Sequence, residues 1–149
     1  MNLKGQGATE YLVLLGVVLV IALVAIALLG FFPGLAGSTK ETQARTYWNQ
    51  AAPFTIKEYR YSGTSLNLTM ENMGSDKLTV TGVTVNGTAG TLVSTSFNGG
   101  QTQLLNITGS IPSCTAGSQF EYDLNITYNS KYQNGFTQVG AKPIVGTCN

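Results

Sequence analysis

Glu10 stands at the edge of an apolar run: no Asp, Glu, Lys or Arg follows it until Lys40. A carboxylate beside hydrocarbon is costly unless it is paired. An ordinary anchor gains nothing from an acid there, so the residue points to a partner. The bland alternative is a hydrated carboxylate that starts a helix near its positive dipole end. Cys114 and Cys148 are the two cysteines of the chain, and an even count outside the cytoplasm reads as a disulfide, with free thiols as the alternative. Such a bridge closes a loop of about 35 residues, contributes roughly 3–4 kcal/mol in the chain-entropy model, and ties Thr147-Cys148-Asn149 to the rest of the chain. Four Asn-x-Thr sequons begin at Asn67, Asn86, Asn106 and Asn125. Each offers a carboxamide nitrogen to a glycosyl donor where the segment is exposed outside the cytoplasm. Chance sequons in a chain rich in Asn and Thr, serving as plain polar β-surface, are the competing reading.

Enzyme chemistry has little to stand on. The 149 residues include no His and seven Asp and Glu together, and no Cys-x-x-Cys occurs, so zinc, haem-attachment and redox motifs are unsupported. Glu121 and Asp123 lie two apart and could share a calcium ion or a proton, but acids so placed on a strand usually form a solvated face. Tyr59, Tyr61, Tyr122, Tyr128 and Tyr132 form either an aromatic patch for sugars or surfaces, or core and subunit contacts. No catalytic residue, metal ligand or cofactor is expected. A formal charge of +1 and a charged fraction of 10% provide no electrostatic footprint for nucleic acid. Thr, Ser, Asn and Gly occupy the space that charges usually fill, a surface that repels its neighbours weakly. The same composition suits a secreted domain made soluble by glycans.

The elements that must position these residues begin with the apolar run. Tyr11 to Phe32 makes a helix of roughly 33 Å at 1.5 Å per residue, long enough to cross a hydrocarbon core. A secretory signal has a shorter apolar region, so the run reads as a retained helix. Gly16 with Ala22, Ala25 and Ala27 allows close approach of neighbouring helices. Lys4 is the positive residue that would keep the N-terminus inside. Pro33-Gly34 is expected to bend or end the helix. A second helix is expected from Ser38 to Gln50, with Ser38 as cap, Glu41 as its capping-box partner, and Ala44, Tyr47, Trp48 and Ala51 on one docking face.

From Phe54 the period changes to two. Strands are expected at 54–61, 66–70, 78–85, 88–97, 103–107, 120–128 and 136–145, with Asn86-Gly87 as the clearest hairpin turn. Residues 73–77 and 111–118 read as loops. About seven short strands at this spacing predict an antiparallel Ig-like β-sandwich behind the helix, an α+β chain.

The N-terminal segment resembles the class III signal of archaeal type IV pilins. In that family a basic residue and a glycine precede Gln, a membrane peptidase cuts after the glycine, and Glu follows at the fifth mature position. Lys4-Gly5 matches the cleavage site, Gln6 the first mature residue and Glu10 the fifth; the resemblance covers about residues 4–32. It implies a leader at 1–5 cleaved after Gly5, a helix and stalk at 6–52 that anchors in the membrane and later forms a filament core, and a β head at 53–149. Glu10, with Tyr11, Leu12, Leu15 and Gly16 beside it, would direct assembly, the acid neutralising the new amino group at Gln6 of an adjacent subunit. The implied partners are copies of the chain itself, a prepilin peptidase, an assembly ATPase and a membrane platform. The implied location is an extracellular filament serving adhesion, drawn from a precursor in the cytoplasmic membrane with its N-terminus inside. Archaeal flagellins share the processing route but usually lack the Gln-Gly-Ala-Thr-Glu-Tyr pattern. The competing class is a monomeric membrane-anchored β domain; an anchored hydrolase would need catalytic residues that the sequence does not contain.

Overall fold

The structure, a computed structural model, describes residues 6–149, and side chains throughout these except at 6 and 30–35. The expected leader 1–5, including Lys4 and Gly5, lies outside the described residues. The chain divides into two compact units, one ending at Thr39 and one spanning Lys40–Asn149.

A single helix, α1, runs Gln6–Trp48. The expected end at Pro33-Gly34 is therefore corrected. A proline removes one backbone donor, a cost that long apolar helices tolerate. On its far side the last turns are held by burial, with Ala44 at 2% exposure and Trp48 at 0%. Ser38 accordingly sits inside the helix and does not cap one, while Glu41 pairs with Arg45 at 3.0 Å, one turn on.

Behind the helix the chain is antiparallel β throughout. Strand β1 (Phe54–Ser62) pairs with β2 (Ser65–Asn72), and β2 with β6 (Thr102–Ile107), giving the order β1-β2-β6. Strand β3 (Leu78–Val85) organises a five-stranded sheet. It pairs with β4 (Thr88–Ala89), β5 (Thr95–Phe97) and β8 (Leu124–Asn129), and β8 pairs in turn with β9 (Phe136–Val139). A two-stranded sheet joins β7 (Gln119–Tyr122) to β10 (Ile144–Thr147). The architecture is α+β, a long apolar helix followed by an antiparallel β head, as the change of period from helical to two implies.

Alternation drives this arrangement. Leu66, Leu68, Met70 and Asn72 point inward from β2, and Val80, Val83 and Val85 from β3, where a bulge between Val80 and Gly82 resets the phase. These residues join Phe54, Ile56, Tyr61, Phe97, Leu124, Ile126 and Trp48 in one core. Phe54 packs edge-on to Phe97 and Tyr128 at 5.3 and 5.4 Å, the geometry favoured by ring quadrupoles. Two buried amides join the parts. Gln138 accepts from Phe54 N and donates to Phe54 O, both at 2.9 Å, mimicking a strand pair with β1. Asn72 donates to the carbonyls of Asp76 and Phe97 and accepts from Gly74 N, which sets the 73–77 loop. Among the described residues no buried side-chain nitrogen or oxygen lacks a partner.

Three strands are shorter than expected. The 88–97 run pairs with β3 only at its ends, as β4 and β5; between them Thr91 bridges Thr108. The 120–128 run is two strands, β7 and β8, broken at Asp123 and assigned to different sheets, and the 136–145 run is likewise β9 and β10.

Candidate functional site

The apolar stretch Gly7–Leu29 spans 23 residues at a mean hydropathy of 3.4, with none of it buried. Its large side chains are exposed on every face, Tyr11 at 65%, Leu12 at 64% and Leu15 at 48% among them. A helix apolar all round needs apolar surroundings all round, whether lipid or other helices. By length and composition it can cross a membrane.

Glu10 is exposed on this helix, with Thr9, Val13 and Leu14 bordering it. Among the described residues no cation pairs with it; the three ion pairs are Lys40–Glu121, Arg45–Glu41 and Lys57–Glu71. Gly16, one of the residues expected to direct assembly, has open space where a Cβ would stand. Gly5 lies outside the described residues, as does the side chain of Gln6.

At the other end, α1 is keyed into the head. The Trp48 indole N–H donates to Lys142 O at 3.1 Å, Ala141 N donates to the Tyr47 hydroxyl at 2.9 Å, and the Arg45 guanidinium lies 4.7 Å from the centre of the Tyr59 ring. Ala44, Trp48 and Ala51 are buried, as their spacing implied, and Tyr47 is half-buried.

Cys114 and Cys148 form a disulfide, their Cα atoms 5.7 Å apart. Around it Cys114 N donates to Gly63 O, Cys148 N to Ser118 O, and Asn149 N to Tyr61 O. The C-terminal end is thus fixed by a covalent bridge and by backbone bonds.

The four sequons occupy different settings. Asn67 sits on β2 between Arg60 of β1 and Asn106 of β6, directly opposite each. It is half-buried and lines a shallow depression of about 270 Å³ with Glu58, Arg60, Thr69 and Leu104. Asn106 is exposed on β6, the outer strand of that sheet. Asn125 is half-buried on β8, flanked by Thr84 of β3 and Val139 of β9. Asn86 is exposed at the tip of the β3–β4 hairpin with φ 50°, followed by Gly87 at φ 78°, the left-handed pair that an Asn-Gly turn supplies.

The remaining candidates resolve into structure. Glu121 pairs with Lys40 at 2.9 Å, while Asp123 lies in the break between β7 and β8. No group of three potential metal ligands occurs among the described residues. Tyr59 and Tyr61 are buried, Tyr122 and Tyr128 pack against the core, and Tyr132 is 81% exposed. Burial pushes the Tyr61 phenol up to about 12, with Tyr122 adding to the rise. Sequence reasoning missed the charge distribution: β3, β4, β5, β8 and β9 contain no charged residue, so the whole five-stranded sheet is neutral. That signal was readable only once the strands were assigned to sheets.

No family model matches the chain, and no curated protein matches its sequence.

Proposed function

We propose that the chain is the structural subunit of an extracellular archaeal type IV pilus, built through its N-terminal helix. One observation carries the reading: an apolar helix exposed on every face, with the Glu10 carboxylate at the edge of its uncharged run. Before assembly the helix spans the cytoplasmic membrane with the N-terminus inside. After a prepilin peptidase cuts between Gly5 and Gln6, an assembly ATPase and membrane platform move it into a filament of identical copies. Lipid and neighbouring helices are both apolar, so one surface serves in both settings. Glu10 then meets the new amino group of an adjacent Gln6, which selects register because a mispaired charge in hydrocarbon is costly.

The head forms the outer layer and serves adhesion to surfaces or cells. Support comes from its neutral five-stranded sheet, which repels copies weakly, and from a disulfide that suits an oxidising exterior. Neither a catalytic role nor nucleic-acid binding is part of this reading.

The test is intact mass and N-terminal sequencing of material sheared from the cell surface. Filaments whose chain starts at Gln6 support the proposal. A chain that keeps Met1 and occurs only in detergent-soluble membranes overturns it and makes the protein an anchored β domain.

A further inference from the structure

The four sequons share a sequence pattern but not an access route. Transfer joins the Asn Nδ2 to the anomeric carbon of a lipid-phosphate-linked oligosaccharide. The C–N bond forms, the C–O bond to phosphate breaks, and one Nδ2 proton is lost as the lipid phosphate leaves. The acceptor nitrogen must therefore have room for a sugar ring beside it. Side chains directly opposite on neighbouring strands have Cβ atoms about 4.5–5.5 Å apart, so an Asn flanked on both sides is crowded laterally.

By that measure two sequons are flanked by paired strands on both sides, and two are exposed with such a neighbour on one side. Asn67 has Arg60 on one side and Asn106 on the other. Asn125 has Thr84 on one side and Val139 on the other. Both are half-buried on interior strands. Asn106 faces Asn67 on one side; along the other edge of β6 Thr91 bridges Thr108, two residues on, and both Asn106 and Thr108 are exposed. Asn86 is exposed at a hairpin tip, with a neighbour on one side, where its N–H donates to Asp123 O at 2.8 Å. A glycan on Asn106 would in addition cover Asn67 directly opposite.

We propose that Asn86 and Asn106 are the glycan-bearing residues of the folded head, and that Asn67 and Asn125 stay bare. The inference rests on the proposed extracytoplasmic head, and the order of events it requires is folding first, transfer second.

The experiment is glycopeptide mapping of the full chain from its native host, wherever the chain fractionates. It is joined by intact masses of Thr88→Ala, Asn106→Gln, Asn67→Gln and Asn125→Gln variants. Thr88→Ala removes the Asn86 sequon without touching the left-handed turn residue. Thr88→Ala and Asn106→Gln should each lower the mass by one glycan, while Asn67→Gln and Asn125→Gln leave the glycan mass unchanged. Sugar on Asn67 or Asn125, or none on Asn86 and Asn106, overturns the proposal. Filaments built from a bare chain would sink this inference and leave the pilus reading standing. Glycan at Asn86 and Asn106 on a chain that never forms filaments would do the reverse.

Discussion

Gly140 lies against the indole of Trp48: a Cβ on Gly140 would fall 2.5 Å from the indole Cζ2 and 2.7 Å from Leu124 O. The last turn of α1 and the segment after β9 are thus fitted with no space for a methyl group. Gly140→Ala should destabilise the head by about 1–3 kcal/mol through overpacking. Trp48→Ala should cost about 3–5 kcal/mol through the cavity it leaves. Urea unfolding of the two variants against wild type checks both values. A Gly140→Ala midpoint equal to wild type would mean that the indole can move aside.

The Gln138 amide is the second such key. Replacing it with Leu keeps most of the volume but orphans the N–H and C=O of Phe54 inside the core. An unsatisfied buried polar group costs about 1–3 kcal/mol, so Gln138→Leu should be clearly destabilising, although it makes the core more apolar. Hydrogen exchange at the Phe54 amide should rise in the same variant. Unchanged protection would show that the pair with Gln138 contributes little.

These two keys also mark where the sequence stops being readable. The helix, the Asn86-Gly87 hairpin and the docking face of Ala44, Trp48 and Ala51 all follow from local period and turn chemistry. The break at Asp123 does not. Phe120 and Leu124 are both buried, with exposed Glu121 and Asp123 between them, so the alternation continues in phase while the chain changes sheets. Nor does a sequence show that Asn67 faces Asn106, because register between strands distant in sequence is set by tertiary pairing. Pro33 misled for a related reason. Its local preference ends helices, and burial of residues further along outweighs it.

Tyr61 gives the head an alkaline limit. Its phenol is buried, donates to Pro112 O, and titrates at about 12 against an ordinary 10.0; Tyr59 is shifted in the same direction by burial. Because the folded state holds the proton more tightly, this stabilisation is complete below pH 10.0 and is lost as pH rises towards about 12. A two-unit shift corresponds to about 2–3 kcal/mol. Tyr61→Phe should be about 1 kcal/mol less stable at neutral pH, where Pro112 O loses its donor, yet should lose less stability across the alkaline range. Thermal melts at closely spaced pH values measure the two slopes. Equal slopes would place the alkaline sensitivity elsewhere.

Glu10→Gln separates assembly from everything else the helix does. The substitution keeps the shape of the side chain and its ability to hydrogen-bond, removes the charge, and leaves the apolar run from Tyr11 intact. Membrane insertion and cleavage before Gln6 should continue, since neither needs a cation to meet position 10. Under the proposed assembly, what is lost is a charge-assisted contact worth about 1.5–3 kcal/mol per subunit. At about 1.4 kcal/mol per tenfold, subunit addition weakens by at least a factor of about ten. Sheared surface filament should fall accordingly while processed chain accumulates in membranes, read by quantitative immunoblot of the two fractions. A control at Leu29→Ala, also exposed on α1, removes apolar area without touching a charge and should reduce filaments less. Wild-type amounts of filament from Glu10→Gln would mean that the carboxylate has no role in register, leaving the apolar surface as the source of assembly.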